Sequence, residues 1–233
     1  MMMQMVAPPR PSVLAVLQNC TLFQDLTLDQ LQQVALRVQV ATYKPDQVIF
    51  SQDSFGQTMY IVQSGFVKVG YHNHDGKYLL FNIHIFGQIF GEFSCLDGLP
   101  RSSEVVAMTE VRTLVLTRAS FDELLVQIPG LNYAMFNLLV MKLRILSAIT
   151  AVLALEDAEG NLAYKLLQFA QPDASNNGVL TVKISQEMLA SALGCSRIWL
   201  NKILNKFVDR QLIQLSWGKI MILQPEHLKE IFS

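Results

Sequence analysis

The chain has 233 residues, of which 51% are hydrophobic and 16% charged, and this globular composition excludes a disordered or fibrous protein. The net charge of −1 conceals an asymmetry, because residues 1–160 carry 10 Lys and Arg against 14 Asp and Glu, whereas residues 161–233 carry 8 against 5. A basic C-terminal third suits a polyanion as its partner.

The N-terminal half of the chain predicts a tail followed by a β-rich domain. We expect residues 1–16 to form a flexible tail that lacks the apolar core of a signal peptide. Short helical periodicity appears over Pro11–Asn19, and a helix capped by Thr27 follows. Between residues 41 and 116, short alternating runs are divided by seven of the twelve glycines, as in strands joined by tight turns. This spacing predicts a β-barrel or sandwich over residues 17–128, closed by a short helix capped by Ser120.

The segment from Phe90 to Ser103 carries the clearest functional signal. It reads FGEFSCLDGLPRSS, with one carboxylate, Glu92, and one guanidinium, Arg101, nine residues apart across a flexible Asp97-Gly98 turn. A guanidinium fork beside hydroxyl and backbone N–H groups suits a phosphate, whereas a carboxylate accepts from a sugar hydroxyl. This inventory fits a ribose cyclic phosphate, and the alternative is a surface ion pair on a loop.

Residues 129–158 predict one long helix. The stretch Tyr133–Leu155 is apolar nearly all round, but Lys142 and Arg144 near its middle exclude a transmembrane span. Apolar residues that step by four and three predict the coiled-coil seam of a homodimer, with an ordinary core helix as the alternative. The seam consists of Leu139, Leu143, Leu146, Thr150 and Leu153. We expect a hinge at Gly160, after the helix.

Residues 159–233 predict a winged helix-turn-helix domain. Ser185 caps a first helix, Gly194 turns the chain, and Ser196 caps a second helix; a β-hairpin wing follows. The polar outward face of the second helix suits the base edges and phosphates of double-stranded DNA, and the alternative is a solvated helix face. The candidate DNA-binding residues are Ser185, Ser196, Arg197, Ile198, Asn201, Lys202, Lys206 and Lys219.

From about Leu17 to the C-terminus the chain resembles catabolite-activator-type regulators of the Crp/Fnr superfamily. The resemblance rests on Phe90-Gly91-Glu92, Pro100-Arg101-Ser102 and Gly194-Cys195-Ser196-Arg197. It implies an α+β fold with an N-terminal β-barrel of the cyclic-nucleotide-binding, double-stranded β-helix type, a dimerisation helix and the DNA-binding domain. It also implies a cytoplasmic transcription regulator that is not an enzyme and has no membrane partner. The implied partners are a palindromic DNA site, a second copy of the chain and RNA polymerase.

The resemblance further implies a cyclic nucleotide as effector, with no cofactor and no metal. The implied ligand residues are Gly91, Glu92, Phe93, Arg101, Ser102, Ser103, Lys142, Leu146 and Ser147. Where cAMP-responsive activators carry a Thr-Ser pair that contacts adenine, this chain has Leu146-Ser147, and the leucine weakens that contact. We still expect cAMP as the first ligand, with cGMP close behind. Ile198 replaces a glutamate that accepts from cytosine, so a thymine methyl becomes the expected contact there.

Control by a signal other than a cyclic nucleotide is the alternative for a regulator of this architecture. A redox, haem or gas sensor, or a regulator that needs no ligand, would share the architecture. An iron–sulfur sensor would use four cysteine ligands, and the chain has three widely spaced cysteines without a paired metal motif. These cysteines fit a reducing compartment.

Overall fold

The computed structural model describes residues 11–155, 158–173, 179–216 and 218–232, without the side chains of Ala148 and residues 151–155. Its elements group into two compact units. One comprises the residues up to Val69 together with Ile83–Leu139, and the other comprises Gly70–Asn82 together with the residues from Val140 onward. Each unit therefore takes its residues from two separate stretches of the chain.

Two four-stranded sheets form most of the N-terminal half, as the sequence predicts. The strands are β1 (Gln39–Tyr43), β2 (Val48–Phe50), β3 (Thr58–Ser64), β4 (Val67–His72), β5 (Tyr78–His84), β6 (Ile89–Phe90), β7 (Glu104–Ala107) and β8 (Val111–Thr117). One sheet has the strand order β1-β8-β3-β6 and the other has the order β2-β7-β4-β5. Most consecutive strands thus lie in different sheets, as in double-sheet folds of this type.

Five helices accompany these sheets: α1 (Val13–Gln18), α2 (Leu28–Ala35), α3 (Glu92–Asp97), α4 (Arg118–Gln127) and α5 (Gly130–Leu155). Thr27 caps α2 in a capping box with Gln30, which confirms the predicted cap. The cap of α4 was assigned wrongly from the sequence. Thr117, and not Ser120, caps that helix, because the Thr117 hydroxyl accepts from the Ser120 N–H at 3.2 Å.

The first helix corrects the predicted extent of the tail. α1 begins at Val13, inside the segment 1–16 that the sequence presented as flexible. Ser12 caps it, and Val16 and Leu17 are completely buried. They join a core cluster that also contains residues of α2, β3, β8 and α4, such as Phe121. Residues 13–16 are therefore part of the domain, and residues 1–10 lie outside the described part of the chain.

The C-terminal half has the predicted winged helix-turn-helix architecture. Its elements are α6 (Ala158–Phe169), β9 (Gln171–Asp173), β10 (Val179–Val182), α7 (Gln186–Ala192), α8 (Arg197–Asp209), β11 (Ile213–Ser216), β12 (Lys219–Ile222) and α9 (Pro225–Glu230). The four strands form one sheet in the order β11-β12-β10-β9. Ser191 of α7 donates its hydroxyl to the backbone oxygen of Tyr78 at 2.6 Å, so a stretch of the β4–β5 hairpin packs within this unit.

The predicted hinge at Gly160 does not interrupt a helix. α6 already begins at Ala158, and Gly160 is a buried residue in its first turn. A single glycine lowers helix propensity by about 1 kcal/mol, and packing offsets that cost here. Residues 156–157, between α5 and α6, lie outside the described residues. Within the described residues, no helix has the length and hydropathy needed to cross a membrane.

Candidate functional site

A short helix between two left-handed glycines begins at the candidate ligand residue Glu92. Gly91 has a φ of 75° and Gly98 a φ of 74°, a conformation that glycine adopts without the strain that a β-carbon brings. The first of these turns places Glu92 at the start of α3, where it is 3% exposed. The predicted Asp97-Gly98 turn lies at the end of this helix, which the sequence did not reveal and which begins at the carboxylate-bearing Glu92.

Arg101 follows this helix and is only 2% exposed. Its Nη1 donates to the backbone oxygens of Thr58 (2.9 Å) and Gly91 (2.7 Å) and to Ser94 Oγ (3.1 Å), and its Nη2 donates to Thr58 Oγ1 (2.9 Å). The ring of Phe50 covers one face of the guanidinium, with Cζ 4.2 Å from the ring centroid. These hydrogen-bond acceptors are neutral, so they fix the position of the guanidinium without neutralising its charge.

One nitrogen of this guanidinium is left unsatisfied. The Nε of Arg101 is buried and has no hydrogen-bond partner among the described residues. Gly56 faces the edge formed by Nε and Nη2, since a β-carbon on it would lie 2.8 Å and 2.6 Å from these atoms. Burial lowers the pKa of Arg101, but a guanidinium keeps its charge in proteins. A buried cation with an unsatisfied N–H favours an anionic acceptor.

The structure brings together three of the candidate ligand residues of this half, namely Gly91, Glu92 and Arg101. The negative charge of Glu92 counteracts the lowering of the Arg101 pKa by burial, as do Tyr60 and Cys95. Phe93 is 46% exposed and Ser102 is also on the surface, whereas Ser103 is half-buried. The site thus combines a buried acceptor and a buried donor, with the predicted hydroxyl groups nearer to solvent.

Cys95 lies in α3 near the same guanidinium. Burial raises the pKa of this thiol to about 11, and the charges of Arg101 and Arg118 only partly oppose the shift. The thiol is therefore protonated at neutral pH and is a poor nucleophile. Within the described residues, no group of three or more His, Cys, Asp or Glu could hold a metal ion.

Sequence reasoning missed the residues that hold Arg101 in place. Thr58 lies 43 positions away in the sequence and contacts it through both its backbone oxygen and its hydroxyl. Phe50 ends β2, and Gly56 lies on the connection between β2 and β3, which begins at Thr58. From the sequence, Gly56 counts among the glycines of strand turns, but Gly56 is absent from the glycines with positive φ, and the close approach of Arg101 is what excludes a β-carbon there.

The candidate residues on α5 belong to the other unit, apart from Leu139. Leu143 and Leu146 are 62% and 58% exposed, and Ile145 is 47% exposed. Ser147 donates its hydroxyl to the Leu143 backbone oxygen, and Thr150 donates to that of Leu146, each at 2.9 Å. Leu139 packs partly against the N-terminal core, Lys142 is half-buried, and the side chain of Leu153 lies outside the described part of the helix. The middle of α5 therefore presents an apolar surface in the single chain.

The predicted helix-turn-helix is present with its caps. Ser185 Oγ accepts from Met188 N–H at 3.1 Å, and Ser196 Oγ accepts from Trp199 N–H at 3.3 Å. Gly194 in the turn has a φ of 62°. The inward residues of α8 are buried, namely Leu200, Ile203, Leu204 and Phe207. Arg197, Ile198 and Lys202 are exposed and Asn201 is half-buried, so α8 presents the expected face.

Acidic partners that the sequence did not reveal engage several of the candidate DNA-binding cations. Glu187 Oε1 lies 3.5 Å from Arg197 Nη1, and both side chains are exposed. Glu159 binds Lys206, with 2.7 Å between Oε1 and Nζ. Asp173 binds Lys219, with 3.2 Å between Oδ2 and Nζ. These pairs join residues that are distant in sequence, which is why periodicity could not reveal them.

The chain matches known protein families over both halves. Residues 40–127 match the cyclic nucleotide-binding domain, and residues 161–231 match the Crp-like helix-turn-helix domain, which together make up more than half of the chain. The chain belongs to the Crp/Fnr family of transcription regulators. As a member of that family, it combines a cyclic nucleotide-binding domain with a DNA-binding domain.

Individual Crp/Fnr proteins are similar to the chain over most of its length. A CRP-like cAMP-activated global transcriptional regulator of Mycobacterium tuberculosis is 29% identical over 91% of this chain and 96% of its own. The cyclic AMP receptor protein of Thermus thermophilus is 26% identical over 92% and 98%. The crystal structure of the Thermus thermophilus catabolite activator protein is 26% identical and matches with a TM-score of 0.55 over 91% of this chain and 97% of its own.

Proposed function

We propose that this Crp/Fnr protein is a homodimeric transcription regulator whose DNA binding is controlled by a cyclic nucleotide held by Glu92 and Arg101. The observation that carries the proposal is the buried guanidinium of Arg101, which is positioned by neutral acceptors and has an unsatisfied Nε–H. A phosphate oxygen is the acceptor that such a group favours, because charge-assisted hydrogen bonds are about twice as strong as neutral ones.

In this proposal Glu92 accepts from the ribose 2′-hydroxyl. A buried carboxylate next to a phosphate-binding cation offers an acceptor that the phosphate itself cannot use. Gly91 allows the close turn before α3, and Phe93, Ser102 and Ser103 border the site. No other cofactor and no metal is required for this role.

The proposed nucleotide base rests on the relatives of the chain and on two residues of α5. The relatives named above as cAMP-activated or as cyclic AMP receptor proteins support cAMP as the first candidate. Leu146 offers no hydrogen bond to an adenine amino group, and Ser147 already donates to the Leu143 backbone oxygen, although its oxygen can still accept. We therefore keep cGMP as the second candidate, with Lys142, Leu146 and Ser147 as the proposed α5 contacts.

The DNA site in this proposal is a palindrome. A symmetric dimer joined through α5 places two α8 helices in successive major grooves, with half-sites about one helical turn apart. Arg197 is the proposed guanine reader and Ile198, which is 85% exposed, is the proposed contact to a thymine methyl. The rest of the proposed surface consists of Ser185, Ser196, Asn201, Lys202, Lys206 and Lys219, and RNA polymerase is the expected further partner.

Calorimetric titration of the purified protein with cAMP and with cGMP tests the ligand assignment. Arg101→Gln should weaken binding roughly thirtyfold or more, because it removes the charge that pairs with the phosphate. Arg37→Gln is the matched control, since the polar contacts of Arg37 within the described residues are an ion pair at 3.3 Å with the exposed Glu123 and a hydrogen bond to the Gln33 backbone oxygen. Unchanged binding by Arg101→Gln contradicts the proposal.

Two outcomes of the same work favour the alternatives. If neither nucleotide binds and the purified protein carries iron or absorbs visible light, a redox, haem or gas sensor replaces the proposal. If neither nucleotide binds and selected DNA fragments are nevertheless retained, the protein is a regulator that needs no ligand. A tenfold or greater preference for cGMP reverses the order of the two nucleotides and leaves the mechanism intact.

A further inference from the structure

Two acidic residues in the DNA-binding half each bind two cations that lie outside the acidic residue's own helix or strand. Glu159 of α6 binds Lys206 Nζ at 2.7 Å through Oε1 and Arg210 Nη1 at 3.2 Å through Oε2. Lys206 and Arg210 are one helical turn apart at the C-terminal end of α8, so a single carboxylate engages successive turns of that end. This contact ties the recognition helix to the first turn of α6.

Asp173 likewise binds two cations, in the sheet that carries the wing. Its side chain is 4% exposed, and its two oxygens bind Lys183 Nζ and Lys219 Nζ, each at 3.2 Å. Lys183 follows β10 and Lys219 begins β12, which pairs with β10 in the sheet. A buried carboxylate needs compensating charge, and here the wing lysine provides part of it. The side chain of Lys219 is only 28% exposed, and its ammonium contacts Asp173.

Lys202 differs from both of these lysines. It lies four residues before Lys206 on the same helix, is exposed, and makes no ion pair within the described residues. Recognition helices of this class contact bases with their N-terminal residues. Lys202 lies nearer to the N-terminal end of α8 than Lys206, and its ammonium makes no ion pair within the described residues, so it is available to a phosphate that flanks the contacted bases.

We propose that Lys206 and Lys219 are positioning residues that hold α8 and the wing through Glu159 and Asp173, and that Lys202 makes the phosphate contact. The inference rests on the proposed DNA-binding function and narrows its set of contacts. A lysine that stays on its carboxylate partner neutralises no DNA phosphate, so it releases none of the counterions condensed on the DNA. A free cation does contribute to counterion release, and the salt dependence of binding counts such cations.

The decisive experiment compares Lys202→Gln with Lys206→Gln and Lys219→Gln in the full-length dimer. The DNA is the fragment that the wild-type protein selects from a random pool in the presence of cAMP, and affinity is measured between 50 and 200 mM salt. Lys202→Gln should reduce the slope of log K against log salt by about 0.9, the contribution of one phosphate contact. Lys206→Gln and Lys219→Gln should reduce it by less than about half of that.

Thermal unfolding without DNA provides a readout that a phosphate contact would not move. Lys206→Gln and Glu159→Gln should each lower the midpoint by about 1–3 °C, and the double variant should fall no further than the worse single variant. Lys202→Gln should leave the midpoint unchanged.

Two different results overturn the inference. An equal loss of slope in Lys202→Gln and Lys206→Gln shows that Lys206 binds phosphate. Additive midpoints for Glu159→Gln and Lys206→Gln show that their contact does not position α8. Both results leave the proposed function standing, whereas failure of the wild-type protein to enrich any DNA overturns the proposed function itself, and with it the assignment of Lys202.

Discussion

Gly56 and Arg101 are packed so closely that a β-carbon on Gly56 would lie 2.6 Å from Arg101 Nη2. The guanidinium has little freedom to retreat, because Thr58, Gly91 and Ser94 accept four hydrogen bonds from it. The space next to one backbone carbon therefore determines where the buried positive charge of the cyclic nucleotide-binding domain is held.

Gly56→Ala should accordingly displace Arg101 and weaken cAMP binding about tenfold or more, since a misplaced donor loses a charge-assisted hydrogen bond. Calorimetry measures the change. Gly130→Ala is the matched control, because a β-carbon there meets nothing within 4 Å and Gly130, like Gly56, is absent from the positive-φ glycines. Equal affinities of the two alanine variants would show that Arg101 tolerates the displacement.

Thr58→Val should weaken nucleotide binding about threefold to tenfold, because it removes the hydroxyl that accepts from Arg101 Nη2. The backbone oxygen of residue 58 remains, so the loss should be smaller than that of Arg101→Gln. Thr58→Ser keeps the hydroxyl and should restore the wild-type affinity. If the serine variant binds as weakly as the valine variant, the packing of the threonine methyl group, and not its hydroxyl, is what matters.

Lys165 makes the stability of the DNA-binding half depend on pH. Burial lowers the pKa of this lysine, which is 7% exposed, to about 8. The unfolded chain, with an ordinary lysine, binds more protons between pH 8 and about 10.4, so the free energy of unfolding rises with pH in that window. Below pH 8 the cost of burying the charge is present in full, and it amounts to at most about 3 kcal/mol.

Denaturant unfolding of the wild type and of Lys165→Met between pH 7 and 10 checks this expectation. The methionine variant should be more stable at pH 7, and the difference should shrink as the pH rises towards 10. Lys202→Met, at an exposed position, controls for the general loss of one positive charge. If the stability difference between wild type and Lys165→Met is constant over this pH range, the pKa of Lys165 is not lowered into it by burial.

Leu143→Glu should separate the proposed dimer. The side chain is 62% exposed in the single chain, and a charge in the middle of an apolar helix face opposes its burial against a second copy. Sedimentation should show monomers at concentrations where the wild type is dimeric, together with loss of binding to palindromic DNA. Val126→Glu on α4, where the side chain is 82% exposed, should leave the wild-type assembly unchanged. A dimeric Leu143→Glu variant would exclude this seam.

Local signals were sufficient for the helix-turn-helix. Ser185 and Ser196 cap α7 and α8 through contacts within three residues, and the left-handed Gly194 separates the two helices. Such short-range patterns are written directly into the sequence. The predicted two-sheet domain was recovered for the same reason, since glycine turns mark the ends of many of its strands.

The contacts that complete the sites were not predictable in this way. α3 has no side-chain cap at its N-terminus, so nothing in the sequence marked where it starts. Thr58 reaches Arg101 across 43 residues, and Glu159 reaches Lys206 across 47. These contacts depend on how distant segments pack, and hydrophobic periodicity carries no information about them.

The hydrogen bond from Ser191 to the backbone oxygen of Tyr78 bears on how the protein can be divided experimentally. The unit that contains α8 includes Gly70–Asn82, and 57 residues of the chain separate this stretch from the rest of the unit. No single cleavage in α5 can release this unit intact, because any C-terminal fragment leaves Gly70–Asn82 behind and loses the hydrogen bond between Ser191 and Tyr78. Measurements on an isolated C-terminal fragment would therefore report the properties of an incomplete unit.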